Sequence, residues 1–133
     1  MTYILDTNII TAIFKGNDRV LKKTQEVIKD GGEILINGIT YYEIKRGLLA
    51  VNATTKLRIF DLLCQEFGLM LLDTQELFDE AAMIYADLKN KGNLIEDADI
   101  LIAALTKTKN YTLVSDNARH FERIEGLKFE NWL

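Results

Sequence analysis

The chain is predicted to adopt an α/β fold, with a central, mainly parallel sheet of four to five strands covered by helices on both faces. Three observations predict it. Short apolar runs such as Tyr3-Ile4-Leu5, Ile34-Leu35-Ile36 and Thr112-Leu113-Val114 alternate with longer segments whose apolar residues recur at three and four positions. The apolar runs are continuous rather than alternating, as in strands buried on both faces. Strands that alternate with helices join by right-handed crossovers into a parallel sheet.

Taken in order, Tyr3-Ile4-Leu5 is the first strand, and Asn8 is read as the N-cap of a helix carrying Ile9, Ile10, Ile13 and Phe14 up to Gly16. A second helix spans about residues 18–29 with Val20, Leu21, Thr24, Val27 and Ile28 on one face, and Gly31-Gly32 breaks it before the second strand, Ile34–Ile36. Helices follow over about 40–51, which carries Glu43, and 54–66, with Leu57, Phe60 and Cys64 at helical spacing. Met70-Leu71-Leu72 is a third strand. Thr74 then caps a helix whose Leu77, Ala81, Ile84, Tyr85 and Leu88 keep the 3.6-residue period until Gly92. Asp97 is read as the N-cap of a helix through Ile100–Leu105 that is apolar nearly all round, hence heavily buried. Thr112–Val114 and Leu127–Phe129 supply the fourth and fifth strands.

With 133 residues, 48% of them hydrophobic, the chain is the size of one domain with one sizeable core, and a single domain over 1–133 is expected. No apolar run reaches the roughly 18 residues of a membrane span, and no basic region followed by a long apolar segment opens the chain, so a cytoplasmic location is expected. The lone Cys64 has no partner for an internal disulfide and no zinc-ligand spacing around it. It is expected to be a buried small hydrophobe. A net charge of −4 argues against coating of nucleic acid by bulk positive charge. A polyanion would have to bind locally, through cations such as Lys15, Lys22, Lys23, Lys45, Arg46 and Arg119. The aromatics Tyr41, Tyr42, Phe60, Phe67, Phe78 and Tyr85 are expected in the core or at a dimer surface rather than as base-stacking platforms.

Four acids lie at the joints of this pattern: Asp6 after the first strand, Glu43 in the helix after the second, Asp99 in the first turn of the buried helix, and Asp116 after the fourth strand. In an open α/β sheet, ligands bind beyond the carboxyl ends of the strands, where these residues fall. Each has a structural alternative. Asp6 could cap a helix, Asp116 could be a turn residue, Asp99 could favour the helix dipole by roughly 0.3–1 kcal/mol, and Glu43 could be a solvated helix acid. Asp97 shares the ambiguity and is read as a cap. Gathered together, the four need compensation, because two carboxylates about 4 Å apart repel by roughly 4 kcal/mol at an effective dielectric near 20. A hard cation with oxygen ligands, Mg2+ or Mn2+, supplies it, and proton uptake is the alternative. Such a site suits phosphodiester hydrolysis by a metal-activated water. His120, the sole imidazole, is then not required as a base.

The chain resembles the PIN-domain ribonucleases, specifically the VapC-type toxins of type II toxin–antitoxin pairs. The matching residues span the sequence: Ile4-Leu5-Asp6-Thr7-Asn8; Glu43 with Gly47; Gly92, Ile95, Asp99 and Ile102-Ala103-Ala104; Leu113-Val114-Ser115-Asp116-Asn117; and Phe121, Ile124, Gly126-Leu127 and Asn131-Trp132. The resemblance implies a PIN-like three-layer fold and a Mg2+- or Mn2+-dependent endoribonuclease acting as the toxin. It implies Asp6, Glu43, Asp99 and Asp116 as the metal-site acids, supported by Thr7, Asn8, Ser115 and Asn117, with Asp97 as a further candidate. It also implies a VapB-like antitoxin whose C-terminal segment covers the site, and a homodimer within a larger toxin–antitoxin assembly. Ser115 stands where many relatives carry Thr, and Glu96 where a small residue is usual. Two other readings compete. A catalytically silent PIN-type module would bind RNA or protein only, and a haloacid-dehalogenase-like phosphatase would want an acid where this chain has Asn8. A phosphoacceptor receiver domain would want a paired acid and a late-strand Lys that are not evident.

Overall fold

In a computed structural model that describes residues 1–133, the chain order is β1 (Thr2–Leu5), α1 (Thr7–Phe14), α2 (Asp18–Lys29), β2 (Glu33–Asn37), α3 (Gly38–Ala50), α4 (Thr54–Phe67), β3 (Leu69–Met70), α5 (Gln75–Asn90), α6 (Asp97–Lys109), β4 (Thr112–Val114), α7 (Ala118–Phe121) and β5 (Phe129–Glu130). The five strands form one sheet in the order β3-β2-β1-β4-β5, and every pairing is parallel. The chain winds outward from β1 through β2 to β3, then returns to the other side of β1 for β4 and β5. The switch point therefore lies between β1 and β4, just beyond Leu5 and Val114.

Two apolar layers hold the helices to the sheet, and the strand period of two divides the residues between them. Ile4 and Leu113 face α5 and α6, where Leu77, Ile84, Leu88, Ile102 and Leu105 are buried. Leu5, Val114, Ile34 and Ile36 face the opposite layer with Ile9, Ile10, Val20 and Phe60. Phe60 is fully buried and stacks at a tilt against Phe14 and Tyr41, with ring centroids 6.2 and 5.6 Å away. As its composition requires, α6 is the most enclosed helix, with Ile100 and Ile102–Thr106 buried. No helix is long and apolar enough to cross a membrane.

Several boundaries differ from the sequence reading. Asp6, not Asn8, caps α1, because its extended backbone (φ −84°, ψ 166°) ends β1 directly against the helix. Asn8 is the second residue of α1 and is free for long-range bonds. Likewise Glu96, not Asp97, occupies the cap position of α6, and it makes no side-chain capping bond. α3 begins two residues earlier than read, because Asn37 caps it by accepting from the Thr40 N–H. β3 and β5 pair over only two residues each at the sheet edges, so Leu71 and Leu72 leave the strand. The short α7 was not anticipated. Among the aromatics, Phe60 and Phe67 are buried while Tyr42, Phe78 and Tyr85 are exposed. Cys64 is half-buried, and burial, with the charge of Asp61, pushes its thiol up.

An acidic cleft at the switch point

β1 and β4 deliver Asp6 and the Ser115-Asp116 pair side by side, because Leu5 pairs with Val114 and the Asp6 N–H donates to the Val114 carbonyl at 2.9 Å. Asp6 is only 5% exposed. Its Oδ1 accepts from the Thr7 N–H at 2.8 Å, and its Oδ2 accepts from the Ser115 hydroxyl at 2.8 Å. One oxygen thus caps α1, as the structural alternative for this residue has it, and the other faces β4. Burial, above all, raises the Asp6 pKa from its ordinary value. The Ser115 and Thr7 bonds oppose that rise, and the charges of Asp99 and Glu43 add to it.

Glu43 reaches the same place from α3. The Thr7 hydroxyl donates to Glu43 Oε1 at 2.9 Å and lies 3.2 Å from the Thr40 hydroxyl. Thr40 is itself anchored by Asn37, whose amide donates to Thr40 Oγ1 and to the Leu5 carbonyl, each at 3.1 Å. Asn37 and Thr40 are therefore fully buried supports of the site that sequence reasoning missed. The signal was present as an Asn-x-x-Thr cap at the end of a strand, the position where a capping side chain meets the third helical N–H.

Asn8 ties the cleft across its width: its Oδ1 accepts from the Asp116 N–H at 3.0 Å. Its amide lies 3.4 Å from Ser115 Oγ, which also accepts from the Asn117 N–H at 3.0 Å. Asp116 is exposed, and its Oδ1 accepts from the Asn131 amide at 2.9 Å. Asp99 points in from the first turn of α6, and its Oδ2 lies 2.7 Å from His120 Nδ1. A carboxylate cannot donate, so the imidazole proton sits on Nδ1. The Asn117 side-chain nitrogen lies 2.8 Å from that same ring nitrogen and donates to Asp99 Oδ2 at 3.4 Å. Sequence reasoning gave His120 no role, because the contact spans 21 residues between separate elements.

Asp6, Glu43, Asp99 and Asp116, with His120 and Lys15, line one open cleft of about 710 Å3, together with Thr7, Asn8 and Asn117. Asp97 does not reach it; it is exposed on α6, and the neighbouring Glu96 lines the cleft instead. None of the four acids is paired with a Lys or Arg. No three His, Cys, Asp or Glu side chains converge closely enough to enclose an ion. Each acid is drawn instead toward its own donor: Ser115 and Thr7 for Asp6, Thr7 for Glu43, His120 for Asp99 and Asn131 for Asp116. The all-oxygen donor set and the lack of a countercharge fit a hard divalent cation held partly through water. Every buried side-chain nitrogen and oxygen has a hydrogen-bond partner, so the acids are positioned rather than stranded.

Fold and cleft together define a class: a doubly wound α/β domain with a carboxylate-lined, cation-poor cleft at its switch point. Residues 3–127 match the PIN domain family. Ribonuclease VapC1 of Methanocaldococcus jannaschii is 36% identical over 127 residues, covering 94% of this chain and 84% of that protein. Ribonuclease VapC2 of Haemophilus influenzae is 32% identical over 136 aligned positions, covering 100% of this chain and 99% of that protein. Among solved structures, VapBC2 from Rickettsia felis, bound to a DNA fragment from its promoter, superposes with a TM-score of 0.87 at 29% identity and complete coverage of both chains. The chain therefore belongs to the PIN-domain family, in its VapC ribonuclease branch.

Proposed function

We propose that the chain is the toxin of a toxin–antitoxin pair, an endoribonuclease that hydrolyses RNA phosphodiester bonds in the Asp6–Glu43–Asp99–Asp116 cleft with Mg2+ or Mn2+. The observation that carries this reading is a buried Asp6 facing Asp99 and Glu43 with no Lys or Arg paired to any of them. A fold that keeps these charges together without a basic partner is built for a cation supplied from solution. Asp6, the one buried acid of the four, and Asp99 would hold that ion together with Glu43 and Asp116. When bound, the cation supplies charge screening at the phosphate and a more acidic water.

The protein's own groups do the rest. Thr7 orients Glu43, and Ser115 fixes Asp6 Oδ2. His120 holds Asp99 Oδ2, and Asn131 fixes Asp116. Partners that orient ligands in this way are commonly worth 10–100-fold in metal affinity or activity. Asn8 is where a haloacid-dehalogenase-like phosphatase would need a second acid. Its amide oxygen is already occupied by the Asp116 N–H, so nothing favours that class.

The partner is a VapB-like antitoxin, as the VapBC assemblies among its structural neighbours support. Its segment would lie in the groove of about 260 Å3 beside the cleft, where Phe14, Ile44 and Leu48 give an apolar floor and Lys15 and Lys56 a basic edge. Exposed Ile59 and Leu62 on α4 offer an apolar surface for a homodimer within that assembly. The test is incubation of the purified chain with total RNA in Mg2+, in Mn2+ and in chelator. Discrete fragments that disappear with chelator or with added antitoxin are expected. Fragments that persist in chelator would overturn the metal assignment, and no fragments from folded, antitoxin-free protein would overturn the ribonuclease reading.

A further inference from the structure

The cleft has almost no positive charge of its own, yet RNA brings a negative charge with every nucleotide. We propose that the RNA leaves the cleft along a basic strip formed by Lys15, Arg19 and Lys23, which binds phosphates flanking the one that is cut. The inference rests on the ribonuclease reading above.

Continuity comes first. Lys15, the C-cap of α1, and Asn17, the N-cap of α2, both line the acidic cleft. Arg19 and Lys23 follow one helical turn apart on α2 and share a face. Arg19 is exposed and Lys23 half-buried, and both border a second depression of about 390 Å3 with Glu130, Asn131 and Trp132. The two depressions meet at the end of the chain. Asn131 donates to Asp116 Oδ1 at 2.9 Å and accepts from the Leu133 N–H at 2.9 Å, and Leu133 lines the acidic cleft. Strip and acids are therefore joined through the segment after β5.

Charge is the second argument. None of the three cations makes an ion pair; the Lys–carboxylate bridges of the molecule are Lys91 with Asp87 and Glu125, and Lys107 with Glu80, all outside α1 and α2. Glu130, the acid bordering the second depression, accepts from the Trp132 indole N–H at 3.0 Å rather than pairing with Arg19 or Lys23. Although the chain carries a net −4, α2 has Arg19, Lys22, Lys23 and Lys29 against Asp18 and Glu26. Unpaired cations ranged along one edge of an anionic cleft hold a polyanion by its backbone, without sequence preference, and make its binding salt-dependent.

The test compares wild type, Arg19→Gln/Lys23→Gln and a charge-matched control, Lys89→Gln/Lys109→Gln. Binding of a fluorescent RNA oligonucleotide is measured by anisotropy in chelator between 50 and 200 mM salt, and steady-state cleavage is measured in Mg2+. Loss of two phosphate contacts on a single strand lowers the slope of log Kd against log salt by about 1.4. The wild-type advantage in affinity should then shrink about sevenfold across that salt range. KM should rise while kcat is retained, and the control should match wild type. A strip variant with wild-type slope and KM, or a control that loses as much, would overturn the strip while leaving the ribonuclease reading intact. Failure of wild type itself to bind or cleave RNA would overturn that reading and the strip with it.

Discussion

Replacing Ser115 by Ala isolates the bond on which the geometry of the cleft depends. Ser115 is fully buried, and its hydroxyl supplies the hydrogen bond to Asp6 Oδ2. Its oxygen is also the acceptor for the Asn117 N–H. A hydrogen bond to a charged group contributes about 1.5–3 kcal/mol. For 133 residues, at about 2.1 cal/mol/K each, the unfolding entropy near Tm is about 0.28 kcal/mol/K. Ser115→Ala should therefore lower Tm by about 5–11 °C in metal-free protein near neutral pH. The pH dependence distinguishes this bond from simple loss of packing. The folded Asp6 pKa is already raised, mainly by burial and against the pull of Ser115. Removing that pull raises it further. A raised folded pKa means that the folded state binds the proton more tightly than the unfolded one. Protonation therefore stabilises the fold, and that contribution is lost as pH rises through the folded pKa. The gap between variant and wild type should be widest above that pKa and should close on acidification toward the ordinary aspartate value. Circular dichroism melts of both proteins across that range measure it. A gap that is absent, constant or wider in acid would refute the reasoning.

Three further outcomes follow from other parts of the fold. Cleavage in Mg2+ should fall on acidification, because ligands must be deprotonated to hold a cation, and the raised Asp6 pKa moves that loss upward in pH; a flat pH–rate profile would contradict it. Phe60→Ala should cost about 3–5 kcal/mol in urea unfolding, since the ring is fully buried between Phe14 and Tyr41, and a loss below about 1 kcal/mol would mean that the layer refills the cavity. Gly32→Ala would place a Cβ 2.8 Å from Val27 Cγ1 and 3.0 Å from the Val27 carbonyl, costing about 1–3 kcal/mol, whereas Gly47→Ala, in α3 with nothing within 4 Å, should stabilise by about 0.5–1 kcal/mol; equal melting temperatures for the two variants would refute the contrast.

The parts of this account that were legible in the sequence are those encoded locally. Continuous apolar runs identified β1, β2 and β4, because strands buried on both faces leave no room for polar alternation. The positions of Asp6 and Asp116 followed from the rule that sites form at the carboxyl ends of strands, and the structure gathers them with Glu43 and Asp99 around one cleft. What was not legible depends on contacts across the fold. Asn8 looked like a cap, since its type suits one, but Asp6 already closes α1, and Asn8 instead bonds across 108 positions to the Asp116 backbone. Asn37 and Thr40 drew no attention because their task, holding Thr7 under Glu43, involves residues more than thirty positions away. Glu96 takes the cap position read for Asp97 and lines the cleft, because a shift of one residue at a helix start turns a side chain by about 100°. The edge strands β3 and β5 are short because pairing, not hydrophobicity, sets their ends.

On the proposed function, the four carboxylates together with a divalent cation cut RNA. Cleavage of total RNA by wild type and by Asp99→Asn in Mg2+, at equal folded fraction by circular dichroism, tests it most directly. Discrete fragments are expected from wild type and none from the variant, because Asp99→Asn removes an anionic oxygen from the cleft while leaving a side chain of the same shape beside His120. Fragments of the same pattern and rate from Asp99→Asn would contradict it.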